Sequence, residues 1–552
     1  MYIFEELSRE LEKTLFVLTS KMIKKKELYT EDVHKAIAQY IVPERYTLFD
    51  NKQQGQEFGK DIHSGWPGYC HRKMTNSMYG NMCPRNTKWI ELRLSGSKKP
   101  PRNISEELAM VNERILHLLD ASNFYGNQTQ LISDGVGFGN GVQYIKDDVL
   151  DKKTKFLGIH PAQYYLDTDD DGDVKAILRK LNAPMIDIIR IIRGSTMMDT
   201  EEYSKFLPDE MSQKENKSGY LDDYDVFHMV FRTTYYKDMF ELPSKYVGEV
   251  PYASVWYLSK KGAAGKVFAI DRHLYFPLIV WRYNLETGWP YGFGPGHYAL
   301  EDSKCLHQLS RARLEAGQIA AKPPLQAPEE MKGKVKNRPY GITYYEDSTR
   351  LVTGLYQQVN WPITSDVFKE IKDDIGLHYM LDVWQTLAEI TARMTAYEVS
   401  ERIGEKMSMV SSIIGNFQNE ALSQQVRIFL IIEEQSGRLK IPPSLKEYMK
   451  NEGVKIEFLS VLAQAVKKQL ENQGLMRTVN EMQFLFEINP ELRLAFDFYD
   501  IAERMVEGST SASTVLIGRK KYEAKLEELE KQKQLQIQQQ TLKDSQGATG
   551  GQ

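Results

Sequence analysis

Aspartates between positions 167 and 173 are the residues whose types and spacing come nearest to a chemical site. The run Asp167-Thr-Asp-Asp-Asp-Gly-Asp173 begins like the calcium-binding loop of an EF-hand. Such a loop needs a bidentate glutamate at its twelfth position, and Leu178 stands there within an apolar segment of strand character. We therefore predict an acidic turn between two strands, in which Gly172 takes a positive φ, and no metal site.

The same carboxylates leave a metal-dependent nuclease open as an alternative. Paired carboxylates can hold two metal ions for phosphodiester cleavage. Such an enzyme would use Asp167, Asp169, Asp171 and Asp173. The neighbouring sequence offers no clear lysine or histidine as general base, which weakens this alternative.

Other motifs for catalysis or ligand binding are incomplete. Cys70, His71 and Cys83 form a loose group, but a structural zinc site needs paired short spacings, so we expect half-buried thiols. The glycine run at 135–141 lacks the Lys-Ser or Lys-Thr ending of a P-loop, so tight backbone packing at the entry to a strand is expected. Neither His-Glu-x-x-His nor Gly-x-Ser-x-Gly occurs. The sequence therefore indicates a protein that is not an enzyme and has no cofactor.

Length and charge restrict the function further. The chain has 552 residues, more than a single core of roughly 250–300 residues accommodates. Its formal net charge is -4, whereas tight DNA binding needs excess basic groups to release counterions from phosphates. If the chain handles DNA, it should let the DNA slide. The acidic N-terminus and the short apolar run at 428–432 predict neither secretion nor a membrane span, and we expect synthesis in a cytoplasm.

Hydrophobic periodicity predicts an α+β fold that becomes mainly helical after residue 297. Residues 1–40 have helical spacing, 41–100 read as loop-rich with a strand at 89–94, and a helix follows at about 104–124. Short strands then dominate from about 130 to 290, at 142–145, 174–178, 227–231 and 278–282, with one helix near 183–193.

The helical half divides at a segment rich in proline, glycine and tyrosine. One helix is predicted at 297–321, and Pro323 and Pro324 end it. After the segment 325–363, which has a strand pattern at 341–345, long helices begin near 365 and 395. A strand is expected at 454–458, a charged helix at 519–533 and a frayed tail beyond it. Helices this long suggest the staves of an assembly.

A short basic run in the central segment allows two interpretations. It consists of Lys332, Lys334, Lys336 and Arg338. The run is either a solvated turn or a positive tip that meets an acidic partner or a DNA backbone.

Several sequence blocks occur together in a characteristic order. The block Tyr291-Gly-Phe-Gly-Pro-Gly-His-Tyr-Ala-Leu-Glu-Asp302 follows a strand ending at Tyr283 and opens a helix. The other blocks stand at 64–67, 89–93, 135–141, 160–165, 171–174, 393–402 and 456–465. In this order the blocks resemble the portal, or head-to-tail connector, family of short-tailed bacteriophages (podoviruses), over about residues 60 to 525. The resemblance implies structural roles for Arg282, Tyr291, Gly292, Gly294 and Pro295.

The resemblance also implies a portal-type subunit. Its parts would be an α/β wing at 1–296, stem helix 1 at 297–322, a clip at 323–363, stem helix 2 at 364–388, a tunnel loop at 389–397, a long kinked wing helix at 398–435, a helical crown at 436–506, and a C-terminal helix with a disordered tail at 507–552. Members of the family form rings of twelve subunits. The boundaries agree with those predicted from periodicity in the helical half.

As a member of this family, the chain would form the channel for double-stranded DNA at one capsid vertex of the virion. Its expected partners are terminase, a tail adaptor protein, and the major capsid and scaffolding proteins. The tunnel residues would be Glu389, Thr391, Arg393 and Thr395, with Arg393 touching the DNA backbone or pairing with a neighbouring glutamate. The basic run at 332–338 would dock partners at the clip. A ring without DNA inside is a further alternative.

Overall fold

The computed structural model describes most of the chain up to residue 459. The described residues are 2–49, 59, 62–95, 101–148, 151–194, 219–234, 251–260, 263–321, 361–388 and 408–459, with the positions 325–326, 329, 332, 353–354, 522, 525, 528 and 531–532. Residues 1–390 and 404–459 form one compact unit, and 391–403 with 460–552 form a second. Apart from 522, 525, 528 and 531–532, every described residue belongs to the first unit, to which all elements below belong.

The helices follow the chain as eleven labelled segments. They are α1 (Tyr2–Tyr29), α2 (Glu31–Tyr40), α3 (Trp66–Met82), α4 (Arg102–Ala121), α5 (Phe124–Phe138), α6 (Met185–Gly194), α7 (Leu300–Ala321), α8 (Trp361–His378), α9 (Leu381–Ala388), α10 (Ser423–Gln435) and α11 (Pro443–Glu452). A single turn at Pro295–Tyr298 precedes α7. Residues 408–417 are helical and continue through a π-helical segment, Gln418–Leu422, into α10.

The strands within the described residues form four antiparallel sheets. They are β1 (Ile90–Leu94), β2 (Asn140–Asp148), β3 (Lys153–Ile159), β4 (Tyr164–Thr168), β5 (Val174–Pro184), β6 (Asp223–Arg232), β7 (Tyr252–Lys260), β8 (Ala263–His273), β9 (Leu278–Arg282), β10 (Leu325–Gln326), β11 (Thr353–Gly354) and β12 (Val454–Phe458). The sheet orders are β4-β5-β6-β7-β8, β3-β2-β9, β1-β12 and β10-β11.

The five-stranded sheet is covered on both faces. Successive side chains of a strand point to opposite sides, so the same strands contribute to the cores on both faces. One face, with Phe227 and Met229, packs against Leu15, Leu18 and Met22 of α1. The other face carries two cores. One is formed with the apolar side of α6, and the other is formed with the three-stranded sheet. The sheet therefore separates α1 from α6.

The long helix that includes α10 is bonded to α5 and to the three-stranded sheet by polar side chains. Gln425 donates to the amide oxygens of Gln128 and Gln143 at 3.0 and 2.7 Å. Glu433 accepts from the hydroxyl of Thr154 at 2.6 Å and from Arg438 at 2.7 Å. Since Gln425 and Glu433 are buried, these bonds compensate for the water that they lose.

The helices α7 and α8 pack against each other and flank residues 322–360. The guanidinium of Arg313 lies 4.9 Å from the ring centroid of Phe368, and Nε2 of His378 lies 3.1 Å from a carboxylate oxygen of Asp302. Between them along the chain, β10 pairs antiparallel with β11, so residues 325–326 lie beside residues 353–354. The first half of α7 is partly buried, whereas residues 311–315 and 318–321 are exposed.

Two helices were not predicted from the sequence. The region 41–100 was expected to be loop-rich, but it contains α3, which buries Cys70, Met74 and Met78 along one stripe. The glycine run at 135–141 leads into a strand as expected, since β2 begins at Asn140, but its first half forms the end of a helix, α5, that was not expected.

Other predicted elements are confirmed or refined. The strands at 89–94 and 454–458 exist and pair with each other, Ile90 opposite Phe458. The helix expected at 183–193 is α6. The single helix expected from about 365 is divided into α8 and α9 at Met380, which has a φ of 49°. Leu377 of its predicted apolar stripe is exposed. The strand pattern at 341–345 lies outside the described residues.

Candidate functional site: a junction of glycine segments

Two glycine-containing segments meet at the start of the helical half. One is the end of α5 with the start of β2, and the other follows β9 and leads into α7. Gly139 ends α5 with a φ of +74°, and a Cβ there would overlap the carbonyl oxygen of Gly292. A side chain at this position would therefore be strained by its own backbone and blocked by its neighbour.

The close approach continues along both segments. A Cβ on Gly294 would lie 2.6 Å from the carbonyl oxygen of Gly135, and one on Gly296 would overlap that of Gly137. Main chain thus packs directly on main chain over three alternate positions. The expectation of tight backbone packing at 135–141 is confirmed, and its partner is the segment Tyr291–Gly296.

Hydrogen bonds fix the register of this junction. The amide oxygen of Asn140 accepts from the N–H of Gly292 at 2.8 Å, and the N–H of Tyr283 donates to the Gly139 carbonyl at 2.9 Å. The Tyr291 hydroxyl accepts from the N–H of Leu166 at 3.0 Å, which ties the segment to β4. Burial raises the pKa of Tyr291, so its hydroxyl stays neutral. Pro295 then starts a helical turn, a position where its missing N–H is not needed.

Two histidines, the buried His34 and the partly buried His297, fill the space beside the glycine segments. His34 meets Phe138, Tyr291 and His297 edge to face, with ring centroids 5.6 to 6.5 Å apart. Nδ1 of His297 accepts from the N–H of Gly294 at 3.2 Å. Burial lowers the pKa of His297 to about 4 and that of His34 well below its usual value. Both rings are therefore neutral packing groups at neutral pH.

Arg282, at the end of β9, joins three parts of the chain. Its Nη1 donates to the Gly172 carbonyl at 2.7 Å, and its Nη2 donates to Oε1 of Glu420 at 2.7 Å. Its backbone N–H donates to Oε2 of the same glutamate at 2.8 Å. The two side chains are only 7% and 17% exposed, so this ion pair is shielded from water. The acidic turn, β9 and the long helix are thereby held together.

The carboxylate comes from the π-helical segment of the long helix. Just before this segment, the side-chain amide of Asn416 donates to the Arg282 carbonyl at 2.6 Å. The ring of Phe417 meets Trp281 edge to face at 4.7 Å. A π-helical turn widens the helix and often marks a functional position. Here it allows consecutive turns to contact the same end of β9.

The acidic run at 167–173 is a turn between β4 and β5, as predicted. Gly172 has a φ of +83°, and Oδ1 of Asp169 accepts from the N–H of Asp173 at 2.7 Å. Asp167 instead lies 3.6 Å from Lys25 and 3.3 Å from Lys175. Asp167 and Asp169 are thus engaged separately. In the part of the chain that the structure describes, no group of three or more His, Cys, Asp or Glu is placed to hold a metal ion.

The thiol group at 70–83 differs from the expectation. Cys70 and Cys83 are fully buried rather than half-buried. Burial raises the pKa of Cys70 to about 12, and Nε2 of His71 lies 2.9 Å from the Ser133 carbonyl. These residues belong to the packing of α3 against α5.

The proposed tunnel and clip residues are almost all outside the described residues. Glu389, Thr391, Arg393 and Thr395 lie there, as do Lys334, Lys336 and Arg338. Lys332 is described: it is exposed in a turn, and its N–H donates to the Glu329 carbonyl at 3.0 Å. The roles of these residues stay predictions.

Sequence reasoning missed Glu420 and Asn140, the partners that complete the junction. A signal for Glu420 exists, because Arg282 follows four consecutive buried apolar residues at the end of β9. A charge in such a place needs a buried partner. The sequence does not identify that partner, which is far away along the chain.

Comparison with known proteins places the sequence of this chain in a family. The model of the bacteriophage head to tail connecting protein family matches residues 18–513. This chain belongs to that family. The connector is also similar to a probable portal protein of Bordetella phage BPP-1, with 22% identity over 474 residues, 84% of this chain and 81% of that protein.

The match confirms the family resemblance drawn from the sequence blocks. Both glycine segments, Arg282 and Glu420 lie within the matched range of this connector. None of its described helices is both long and apolar enough to cross a membrane.

Proposed function

We propose that twelve copies of this connector form a portal ring at one capsid vertex of a short-tailed phage. The ring is the channel through which double-stranded DNA enters during packaging and leaves at ejection. The observation that carries this proposal is the packed pair of helices α7 and α8. The second half of α7 extends beyond the residues that bury its first half. The expected place of the protein is the virion, after synthesis in the cytoplasm of the bacterial host.

The outer half of α7 supports assembly through its exposed apolar side chains. Leu314 and Ile319 are 58% and 51% exposed, and the neighbouring residues of the same helix are exposed as well. A helix that is solvated on nearly every side gains little from its own fold. Copies of the pair arranged side by side would cover these residues.

The dimensions of such an arrangement suit a DNA duplex. Helices are about 10–12 Å wide with side chains, so twelve of them close a circle about 40 Å across. Subtracting one helix width leaves an opening of roughly 30 Å, enough for a hydrated duplex.

The charges of α8 suit a wall along which DNA slides. Four carboxylates of this helix are exposed, Asp366, Glu370, Asp373 and Asp374, and they outnumber its one exposed lysine, Lys369. A wall of fixed cations would hold phosphates, whereas an acidic wall repels them. We assign α8 to the channel lining, with Arg393 of the following tunnel loop as a single ring of positive contacts.

The subunit layout follows the family pattern. The wing is 1–296, stem helix 1 is 297–322, the clip is 323–363, stem helix 2 is 364–388, the tunnel loop is 389–397, the long wing helix is 398–435, the crown is 436–506, and the C-terminal helix and tail are 507–552. The glycine junction then lies where the wing meets the first stem helix. The basic run of the clip would dock terminase and later the tail adaptor, and the outer surface would meet major capsid and scaffolding proteins.

Electron microscopy of the purified full chain tests the ring. We expect rings with twelvefold symmetry and a central opening about as wide as a hydrated duplex. Monomers at high concentration, also in the presence of scaffolding protein, would contradict the proposal. A ring whose opening is closed to a duplex would favour a structural ring without DNA inside.

Phage carrying Arg393→Ala test the tunnel assignment. Packaged DNA per head should change while the variant protein still forms rings, because the substitution removes only the contact between Arg393 and the DNA backbone. Arg114→Ala, which removes an exposed positive charge on α4, is the control and should leave packaging unchanged. Unchanged packaging and unchanged DNA retention in the Arg393 variant would remove this residue from the tunnel.

A direct assay separates the channel from the nuclease alternative. Purified protein is incubated with duplex DNA and magnesium, and the DNA is analysed on a gel. The channel predicts intact DNA. Cleavage that Asp169→Ala abolishes would establish the nuclease instead.

A further inference from the structure

Cations and aromatic rings alternate where α3, α8 and α7 meet. Nζ of Lys372 lies 4.7 Å from the ring centroid of Phe368 and 5.3 Å from that of Trp66. The guanidinium of Arg313 lies 4.9 Å from the Phe368 centroid, and Trp66 stacks on Tyr69 with their centroids 5.3 Å apart. Such contacts position a cation but leave its charge in place. We call the surface formed by these five residues the basic side of the helix pair.

The two cations of the basic side have no counter-charge in the single chain. Among the residues that the structure describes, neither Arg313 nor Lys372 forms an ion pair. Arg313 is exposed, and Lys372 is partly exposed between its two rings. Positive charges that are fixed in place and not neutralised suit an acidic partner.

The opposite side of α8 is acidic. Successive residues of a helix are rotated by about 100°, so Glu370 and Asp374 each lie about 200° from Lys372. Both carboxylates are exposed, and within the described residues neither takes part in an ion pair. Val367 is 41% exposed and shares their side, three residues before Glu370. We call Val367, Glu370 and Asp374 the acidic side of α8.

The other exposed charges of α8 lie between these two sides. Asp366, Lys369 and Asp373 follow one another at intervals of three and four residues, so the lysine has a carboxylate one turn away in each direction. These three residues therefore carry a small net negative charge. In the proposed ring they would face the channel, while the basic and acidic sides would face the neighbouring copies.

The charges of the two sides lie at the same level along α8. Copies in a ring are related by rotation about its axis, so a contact between neighbours repeats around the ring and joins different patches of the subunit. With α8 along the channel, these patches must be at equal height. Lys372 is two residues from both Glu370 and Asp374, a rise of about 3 Å. Arg313 lies at the ring of Phe368, which is also two residues from Glu370.

We propose that the basic side of the helix pair in one copy binds the acidic side of α8 in the next copy of the ring. Arg313 pairs with Glu370 of the next copy, and Lys372 pairs with its Asp374. This contact rests on the proposed ring and adds the residues that set the register of neighbouring subunits, because opposite charges select one docking geometry. Cations beside aromatic rings also suit a nucleic acid, but the matching carboxylates at equal height favour a second copy.

A charge exchange between Arg313 and Glu370 tests the contact on the full chain. Arg313→Glu and Glu370→Arg are made singly and together. Since like charges at an interface oppose docking, the ring fraction by mass photometry should fall roughly tenfold in each single variant. It should recover in the double variant, in which the pair has reversed polarity. Asp373→Arg makes the same change of charge between the two sides of α8, and this control should assemble like the wild type.

Disulfide cross-linking tests the contact at a second pair of positions. The variant carries Lys372→Cys and Asp374→Cys, with Cys305→Ser to remove an exposed thiol. The two new cysteines face opposite sides of one helix, so they cannot form a disulfide within a chain. Oxidised rings should give a ladder of covalent oligomers in denaturing gels. Variants with only one of the new cysteines should stay monomeric, and a mixture of these two variants should stop at dimers.

The outcomes separate this contact from the proposed function. If wild-type rings form but the single charge variants assemble normally and no ladder appears, the contact is wrong and the channel stands. If Arg313→Glu assembles normally but loses binding to a fluorescent DNA duplex that the wild type binds, the basic side is a nucleic-acid site and the contact is likewise wrong. If the wild-type chain forms no ring, both proposals are rejected.

Discussion

The glycine junction and the contact between α1 and the five-stranded sheet are both buried, but they are held in different ways. At the junction, Gly296 leaves no space for a side chain against the Gly137 carbonyl. At the sheet, Leu15 and Leu18 of α1 pack with side chains of the strands. Side chains can change rotamer when a neighbour changes, whereas packed main chain has no such freedom.

This difference indicates which contacts couple parts of the subunit rigidly. A displacement of the segment before α7 must move α5 and β2 with it, and Arg282 extends the coupling to the long helix through Glu420. Helix α1 can adjust its packing without moving the backbone of the sheet. Substitutions in the two regions should therefore differ in size, and the following predictions start with the largest effect.

Arg282→Met should cause the largest loss of stability. It leaves Glu420 without its partner at a shielded position, and removing one member of a buried pair costs about 3–5 kcal/mol. Chemical denaturation of the full chain measures this change. Arg114→Met, an exposed change on α4, is the control and should stay within about 0.5 kcal/mol. Equal effects of the two variants would show that the junction is not a special point of the fold.

Gly296→Ala should cost about 3 kcal/mol, at the upper end of overpacking effects, because the added methyl group meets main chain. Gly317→Ala is the matched control in α7, where no atom lies within 4 Å of the added group. The control should stabilise the protein by up to about 1 kcal/mol, since alanine favours a helix. Thermal unfolding compares the two variants, and a tolerated Gly296→Ala would contradict the rigid coupling.

Leu18→Met should cost less than about 1.5 kcal/mol, because it conserves volume and the side chains of the sheet can repack around it. The same denaturation experiment measures this change. The comparison of the two regions fails if this variant loses as much stability as Gly296→Ala.

Lys26→Met should change how stability depends on pH. Burial lowers the pKa of Lys26 to about 7, and its Nζ donates to the carbonyls of Pro161 and Tyr164. From pH 7 toward 10.5 the unfolded chain binds more protons at this lysine than the folded chain does. The free energy of unfolding should thus rise with pH in this window, by at most about 1.4 kcal/mol per pH unit for one group.

The measurement is the difference between wild type and the Lys26 variant in denaturation at pH 7, 8 and 9. Lys24→Met is the control, since Lys24 is exposed on the same helix. A wild-type advantage that does not grow with pH would show that Lys26 remains charged and is held by its two carbonyl bonds.

The sequence predicted the elements whose apolar pattern is regular. Strand β9 is a run of buried residues, and α6 has apolar residues at helical spacing, so both were located correctly. Helix α5 was missed because glycine is a poor helix former, and here tertiary packing overrides that preference. Helix α3 was hidden in a similar way by its glycine, asparagine and proline residues.

The candidate site was predictable only in part. The glycine run and the Tyr291–Pro295 block each stood out, yet neither indicates that the other is its packing partner. The pairing of Arg282 with Glu420 depends on the arrangement of the long helix, and local periodicity carries no information on contacts at such separations. The break at Met380 is a backbone conformation that residue types do not reveal.

The pairing of β1 with β12 has a consequence for the synthesis of the protein. Ile90 lies opposite Phe458, so β1 leaves the ribosome long before its partner strand exists. At elongation rates of roughly 5–20 residues per second, the wait lasts on the order of tens of seconds. During that time the edge of β1 can pair with other chains. The sheet of β1 and β12 can therefore form only late, after nearly all of the first compact unit has been synthesised.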